Sequence, residues 1–149
     1  MKIPRPPPLL LVLILALSML GLDQALPFFR VIHPTLTYLG VVPILLGVLL
    51  VLIAAGLFRL RKTTINPFGE PSMVVQDGFY RFSRNPMYLG MLLVLVGIGV
   101  WLGNAMSFLL APAFALIMTR WYIVREEHLL EARFGDQYRA YRQCVRRWL

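Results

Sequence analysis

Two long runs without a charged residue constrain the fold of this chain more than any other feature. Residues 36–58 carry no charge, and neither do residues 87–119. A bilayer core about 30 Å thick is crossed by roughly 20 helical residues, so each run is long enough to span it. The chain is 58% hydrophobic, whereas soluble domains are roughly 45–50% apolar. These patterns predict an all-α, polytopic integral membrane protein.

The apolar segments predict four spans within a single membrane domain, residues 1–149. The longer uncharged run would form a helix of about 50 Å, which is too long for one crossing. The sequence Trp-Leu-Gly-Asn interrupts it near the middle and predicts a tight helical hairpin, with a kink at Pro112. The first apolar segment also fits a cleaved signal sequence, because a basic start precedes a short apolar core. The predicted spans are residues 9–29, 36–58, 88–102 and 105–124.

The distribution of lysine and arginine predicts the orientation. The N-terminal tail carries two, residues 59–84 carry five and the segment from Arg120 carries seven, whereas the loop after the first span has only Arg30. The positive-inside rule therefore places both termini, the loop 59–87 and the segment 125–149 in the cytoplasm. The net charge of +8 predicts contact with anionic lipid headgroups. Nucleic acid is not an expected partner, because the arginines flank apolar segments.

The last residues of the chain predict an amphipathic helix at the membrane interface. Over residues 137–148, spacings of three and four put Tyr138, Tyr141, Val145 and Trp148 on one face, and arginines surround that face. The helix would rest on anionic lipid or on the protein's own cytosolic surface.

The stretch 76–90, QDGFYRFSRNPMYLG, holds more specialised residues than a connecting loop requires. Arg84 can offer a donor fork to a carboxylate or phosphate, or can be an interfacial arginine. Tyr80 and Tyr88 can wall a flat ligand, or can belong to the aromatic belt of the membrane. The stretch is therefore a candidate ligand-binding segment at the cytosolic face.

The pair Glu126-Glu127 places acidic residues at a face that is otherwise basic. One interpretation is a network of salt bridges with Arg120, Arg125 and Arg133. The other is a carboxylate that holds a ribose hydroxyl, an amine or a sulfonium. The sequence contains no metal-ligand cluster and no glycine-rich phosphate loop, so no metal is expected and the common soluble nucleotide-binding folds are not favoured.

Four motifs occur in order between Thr63 and the C-terminus, and together they resemble one family. They are Val75-x-x-Gly78-x-Tyr80, Arg84-Asn85-Pro86-x-Tyr88-x-Gly90, Glu126-Glu127 and Phe134-Gly135-x-x-Tyr138-x-x-Tyr141. The chain resembles the membrane methyltransferases of the isoprenylcysteine carboxyl methyltransferase and phospholipid methyltransferase superfamily.

The resemblance implies an enzyme that uses S-adenosylmethionine without a Rossmann fold. Its acceptor would be a small lipophilic or membrane-embedded molecule, similar to an isoprenylcysteine carboxylate or to a lipid. Arg84 would orient a carboxylate or phosphate and Glu127 would support the cofactor or the substrate, so these two are the candidate catalytic residues. The candidate cofactor-binding residues are Ser72, Met73, Val74, Val75, Tyr80, Asn85, Pro86, Met87, Tyr88 and Glu126.

Two positions depart from the family pattern. Family members often have histidine at the position of Asn85, and asparagine does not titrate. The prenylcysteine enzymes have an arginine where this chain has Tyr122, so Tyr122 with the nearby Arg120 and Arg125 are the candidate acceptor-binding residues. Two alternatives remain: a membrane enzyme similar to sterol reductases that binds NADPH, and a membrane protein without catalytic activity.

Overall fold

The computed structural model describes residues 6–61 and 73–149, and these residues form an all-α fold, as predicted. A π-helical turn, Thr119–Ile123, joins the sixth and seventh helices, and 3-10 turns lie at Pro27–Phe29, Tyr38–Gly40 and Gly78–Arg81. The α-helices are α1 Pro8–Ala25, α2 Pro34–Thr37, α3 Val41–Leu60, α4 Pro86–Leu102, α5 Ala105–Phe108, α6 Leu110–Met118, α7 Val124–Phe134 and α8 Asp136–Cys144.

The helices agree with the predicted membrane protein. Three continuous helical stretches in the described residues are long and apolar enough to cross a bilayer: Pro8–Ala25, Pro34–Leu60 and Ala105–Phe134. A shorter apolar helix, Pro86–Leu102, corresponds to the remaining predicted span. Many leucines on α1 and α3 are exposed, as expected where helices face acyl chains rather than protein.

Two prolines change the helices near them. The first helix ends at Ala25, four residues before the predicted end of its span, because Leu26 precedes Pro27 and adopts φ −128°. The kink at Pro112 stays a prediction, and the structure has a one-residue interruption of the α-helix at Leu109, between α5 and α6. Proline has no N–H to donate to the carbonyl four residues earlier, which here belongs to Phe108.

The chain divides into two compact units. The first is Met1–Val48 with Met91–Leu116, and the second is Leu49–Gly90 with Ile117–Leu149. Each is described separately below.

In the first unit, the predicted break in the long apolar run is confirmed. Helix α4 ends at Leu102, Gly103 has φ +68°, and Asn104 Oδ1 accepts a hydrogen bond from Met106 N at the start of α5. Two backbones also approach closely in this unit. A Cβ added at Gly97 would lie 2.6 Å from the carbonyl oxygen of Gly40, so only glycine fits there.

A group of polar residues in the first unit, which we call the Asp23 cluster, consists of the buried Asp23, Asn104 and Ser107 and the exposed Arg30. The Asp23 carboxylate accepts from Arg30 Nη2 at 2.8 Å and from Arg30 Nε at 3.1 Å. Asn104 Nδ2 donates to the carbonyl of Leu26 at 2.9 Å, and Ser107 Oγ donates to a backbone carbonyl of α1 at 2.8 Å. Within the described chain, no buried side-chain nitrogen or oxygen of this cluster lacks a partner.

The second unit is built on two apolar clusters. The first cluster contains Ala54, Val75 and Tyr80, with Leu57, Phe58 and Met87 packed against them. The second contains Tyr138, Tyr141 and Val145, with Val74, Leu130 and Phe134 packed against them. The 3-10 turn and the C-terminal helix are therefore both anchored to protein.

The C-terminal helix differs from its prediction in length and in what covers it. Helix α8 ends at Cys144, and Val145 is extended with φ −122°, so Trp148 is not part of the helix. The apolar face of α8 lies on protein rather than on lipid, because Tyr138 and Tyr141 are 1% and 8% exposed. Of the two predicted supports, the protein's own surface is the one found for these residues.

Candidate functional site

In the second unit, the start of α4 and the start of α7 are joined by two polar contacts. Tyr88 Oη donates to Glu126 Oε1 at 2.5 Å. Arg84 Nη1 lies 3.1 Å from Glu127 Oε1. Arg84 lies just before α4 and Tyr88 lies in its first turn, whereas Glu126 and Glu127 are adjacent in α7. The two carboxylates therefore hold the N-terminal end of α4 against α7.

Glu127 is shared by two arginines. Its carboxylate accepts from Arg147 Nε at 3.0 Å and from Arg147 Nη2 at 2.6 Å, a bidentate pair. The side chains of Arg84 and Glu127 are 8% and 9% exposed, and that of Arg147 is 35% exposed. The hydrogen bond that Arg147 donates to Glu127 raises the pKa of the Arg147 guanidinium. Two positive charges therefore meet one negative charge in a largely buried place.

One atom of this network has no partner. Arg84 Nη1 also donates to Tyr138 Oη at 3.3 Å. In the described part of the chain, however, Arg84 Nε is buried without a hydrogen-bond partner. Leaving a buried donor unsatisfied costs about 1–3 kcal/mol, and more for a charged group. An acceptor supplied from outside the protein would remove that cost.

Residues 145–149, which follow α8 and which we call the C-terminal strap, run along the Arg84-Asn85 segment. Arg84 N donates to the carbonyl of Arg146 at 3.0 Å, and Asn85 Nδ2 donates to the carbonyl of Arg147 at 2.9 Å. Trp148 Nε1 donates to a threonine hydroxyl of the π turn at 3.2 Å. One N–H of the Asn85 side-chain amide is therefore bonded to protein.

The tyrosines around the site carry neutral hydroxyls. Tyr141 Oη donates to the carbonyl of Tyr80 at 2.7 Å. Burial raises the pKa of Tyr80 and that of Tyr141 well above their usual range, and burial also raises the pKa of Tyr138. None of these hydroxyls is a base near neutral pH.

The π turn brings Glu127 into the interior of the second unit. In an unbroken α-helix, the nine steps from Met118 to Glu127 rotate the chain by about 900°, which puts the two side chains on opposite faces. Both are nevertheless buried, at 0% and 7% exposure. The π turn contains one extra residue, which its i→i+5 bond from Val124 N to the carbonyl of Thr119 takes up. The rotation then falls to about 800°, and the two side chains share one side.

The structure distributes the sequence-predicted site residues over several surroundings. Arg84, Asn85, Tyr88, Glu126 and Glu127 are brought together. Val74, Val75, Tyr80 and Met87 lie in the two apolar clusters, and Pro86 is fully buried. Met73 is 40% exposed, Tyr122 is buried, and Arg120 and Arg125 are exposed. Ser72 lies outside the described residues.

Sequence reasoning missed Arg147 as a member of the site. It treated this residue as one of several arginines around an amphipathic helix. The available signal was the excess of carboxylates at the start of α7, since Glu127 needs a cationic partner if it is buried. A shallow groove, lined by Gln76, Arg81, Gln137, Ala140, Tyr141, Cys144 and Val145, also lies in this unit, and neither Tyr88 nor Glu126 lines it.

The arrangement can bind a ligand that carries both a negative group and hydrogen-bond donors. The buried Nε of Arg84 suits a carboxylate or phosphate. The Glu126 carboxylate has several lone pairs, so it can accept from a hydroxyl or an ammonium while it keeps its bond from Tyr88.

Comparisons with known proteins point to one group of enzymes. Residues 35–137 match the model of the phospholipid methyltransferase family. Protein-S-isoprenylcysteine O-methyltransferase B of Arabidopsis thaliana is 35% identical over 124 residues, which cover 76% of this chain and 58% of that protein. An uncharacterized protein of Haemophilus influenzae is 49% identical over 63 residues, which cover 42% of this chain and 100% of that protein.

One solved structure shares the fold. The eukaryotic intramembrane Ras methyltransferase, an isoprenylcysteine carboxyl methyltransferase, matches with a TM-score of 0.61 and 22% sequence identity. The match covers 99% of this chain and 53% of that one. The chain therefore spans little more than half the length of the methyltransferases to which it is similar.

Proposed function

The chain belongs to the phospholipid methyltransferase family, and on that basis we propose that it transfers a methyl group from S-adenosylmethionine to a lipophilic acceptor in the membrane. The observation that carries the proposal is the partly buried group of Tyr88, Glu126 and Arg84, in which Arg84 Nε has no partner among the described residues. The family match favours this reaction over that of a nicotinamide-dependent reductase.

The donor set fits the chemistry of S-adenosylmethionine, which supplies an electrophilic methyl group when bound. Glu126, oriented by Tyr88, accepts a hydrogen bond from a ribose hydroxyl or the amine. Arg84 Nε donates to a carboxylate or phosphate, on the cofactor or on the acceptor, while Glu127 holds the same guanidinium through Nη1. The other proposed cofactor-binding residues are Ser72, Met73, Val74, Val75, Tyr80, Asn85, Pro86 and Met87.

The protein's contribution to the reaction is alignment and exclusion of water. Methyl transfer is an in-line displacement, for which a fixed geometry and a dry site are more useful than a strong base. The neutral tyrosines around the site agree with this, because they can hold and orient other groups without taking a proton from them. A carboxylate acceptor would need no base.

The acceptor is proposed to be lipophilic, with a carboxylate or a lipid headgroup at its reacting end. The Arabidopsis relative is named for isoprenylcysteine, and the family model is named for phospholipids. Arg120, Tyr122 and Arg125 are the proposed acceptor-binding residues, and the first and last of these are exposed.

The orientation in the membrane is part of the proposal. Reporter fusions after Lys62 and at the C-terminus should report the cytoplasm, and a fusion at Gly103 should report the opposite side, because lysine and arginine cluster at the first two positions. This arrangement has four spans. The same side for the Lys62 and Gly103 fusions would contradict it.

Substitution of Glu126 tests the function. Glu126→Gln removes a charge-assisted hydrogen bond to the ligand, worth about 1.5–3 kcal/mol. The affinity for S-adenosylhomocysteine should fall roughly ten- to a hundredfold, as measured by titration calorimetry on detergent-purified protein.

A matched control lies on the same helix. Glu131 pairs with Arg142 at 3.2 Å, and both side chains are partly exposed; Glu131→Gln should change the affinity little. Equal affinities of wild type and Glu126→Gln would remove Glu126 from the site. A folded wild-type protein that binds no S-adenosylhomocysteine would refute the methyltransferase function.

A further inference from the structure

The C-terminal strap is the part of the candidate site that the family match does not reach. The matched residues end at 137, whereas the strap begins at Val145. The strap nevertheless contacts the site at two places. Its backbone carbonyls accept hydrogen bonds from Arg84 N and Asn85 Nδ2, and the side chain of Arg147 pairs with Glu127.

The two arginines bind Glu127 in different ways. Arg147 uses both Nε and Nη2 and reaches both carboxylate oxygens. Arg84 uses only Nη1 and reaches only Oε1. Because Arg147 occupies the carboxylate with the two-pronged geometry that guanidinium groups favour, Arg84 is held from the side and its Nε remains unbonded within the described residues.

We propose that Arg147 is a positioning residue: its bidentate bond to Glu127 keeps Arg84 Nε available to a carboxylate of the bound ligand. Without Arg147, Arg84 would be the cation left to neutralise Glu127. The Arg84 guanidinium would then turn into the same two-pronged geometry, which uses Nε. Arg147 thus acts through Glu127 and Arg84 and does not itself touch the ligand. This inference rests on the proposed function.

The carboxylate can come from either of two ligands, so the test uses two pairs of probes. S-adenosylhomocysteine carries a carboxylate, and 5′-methylthioadenosine has the same nucleoside without it. On protein saturated with S-adenosylhomocysteine, an isoprenylcysteine carboxylate is compared with its methyl ester. For Arg147→Gln, the affinity for the carboxylate member of one pair should fall about tenfold, while the affinity for its uncharged counterpart should not change. The pair that responds identifies the source.

Two further variants separate positioning from a structural role. In a Glu127→Gln background, Arg147→Gln should cause no additional loss of carboxylate affinity, because residues that act through one partner are not additive. Arg147→Lys keeps the charge but loses the fork, and should show a smaller loss of about threefold. This conservative variant also serves if Arg147→Gln does not fold. Arg139→Gln, which removes an exposed arginine paired with Asp136 at 2.9 Å, is the control and should bind as wild type does.

The outcomes distinguish this inference from the proposed function. A wild-type protein that binds no S-adenosylhomocysteine overturns both. Wild-type binding of S-adenosylhomocysteine, with carboxylate affinities unchanged in Arg147→Gln and Arg147→Lys, overturns the positioning role alone. A lower melting temperature with unchanged affinity per folded molecule would likewise show that the strap only stabilises the fold.

Discussion

The Asp23 cluster and the Glu127 network are both polar groups around a buried carboxylate, but they differ in how completely their groups are paired. In the Asp23 cluster, one carboxylate meets one arginine, and Asn104 uses both its amide nitrogen and its oxygen. In the Glu127 network, one carboxylate meets two arginines, and one buried N–H is unbonded in the described chain.

The difference separates a structural group from a binding group. A fully paired network fixes the backbone around it and offers a ligand nothing further. A network with a surplus charge and an unbonded donor has part of its hydrogen-bonding capacity left for another molecule. Burial alone would have ranked the two equally, since Asp23 and Glu127 are each 7% exposed.

The largest expected effect comes from Glu127→Ala. It leaves the buried Arg84 facing Arg147 without a counter-ion, and removal of one partner from a buried pair costs about 3–5 kcal/mol. Thermal unfolding in detergent measures the loss. Glu131→Ala, which breaks the partly exposed pair with Arg142, should cost less than about 1 kcal/mol. Equal losses in the two variants would mean that the Glu127 network is no more important than a surface pair.

A smaller effect is expected from Asn104→Ala in the Asp23 cluster. The substitution removes the cap of α5 and leaves the carbonyl of Leu26 unpaired, which together should cost about 2–3 kcal/mol. Asn104→Ser keeps an oxygen for the cap and should recover about 1 kcal/mol. The affinity for S-adenosylhomocysteine per folded molecule should stay at the wild-type value in both. Weaker binding would show that the Asp23 cluster is more than structural.

The smallest effects come from one substitution made in each unit. Gly97→Ala puts a methyl group 2.6 Å from the backbone of Gly40 and should lower stability by about 1–2 kcal/mol. Gly56→Ala, on α3 in the second unit, meets nothing within 4 Å and should raise stability by about 0.5 kcal/mol. Opposite shifts in melting temperature are the expected result. Shifts of the same sign would contradict the close backbone approach in the first unit.

Local sequence patterns were sufficient for the positions of the apolar helices, although not for the ends of the first and last helices. The uncharged runs predicted the apolar helices, and Gly103-Asn104 predicted the break after α4 because a glycine with positive φ and a capping asparagine are both short-range signals. Gly135, with φ +50°, is a short-range signal of the same kind at the end of α7. Such features depend on residues within one or two helical turns, so they can be read without knowledge of the fold.

The site was predicted only in part, because its pairings are long-range. The Arg84-Asn85-Pro86 motif and Glu126-Glu127 were identified, yet the bond between Tyr88 and Glu126 joins residues 38 apart in the sequence. Arg147 is one of seven arginines and lysines from position 120 onward, and nothing local distinguishes it from Arg146. Its role depends on the early end of α8, which lets the chain turn back toward Glu127. The buried state of Asp23 was also missed: its partner Arg30 is only seven residues away, but its other partner, Asn104, is 81 residues away.

The π turn at Thr119–Ile123 affects how this protein is compared with its relatives. A lineage that gained or lost one codon in this turn would keep a continuous helix, but every later residue would rotate by about 100°. Alignments that cross the helix without a gap would then match residues that face different neighbours. The correspondence of Tyr122 with an arginine in the prenylcysteine enzymes, which the resemblance implies, depends on this count. Functional residues before and after the turn are therefore best aligned separately.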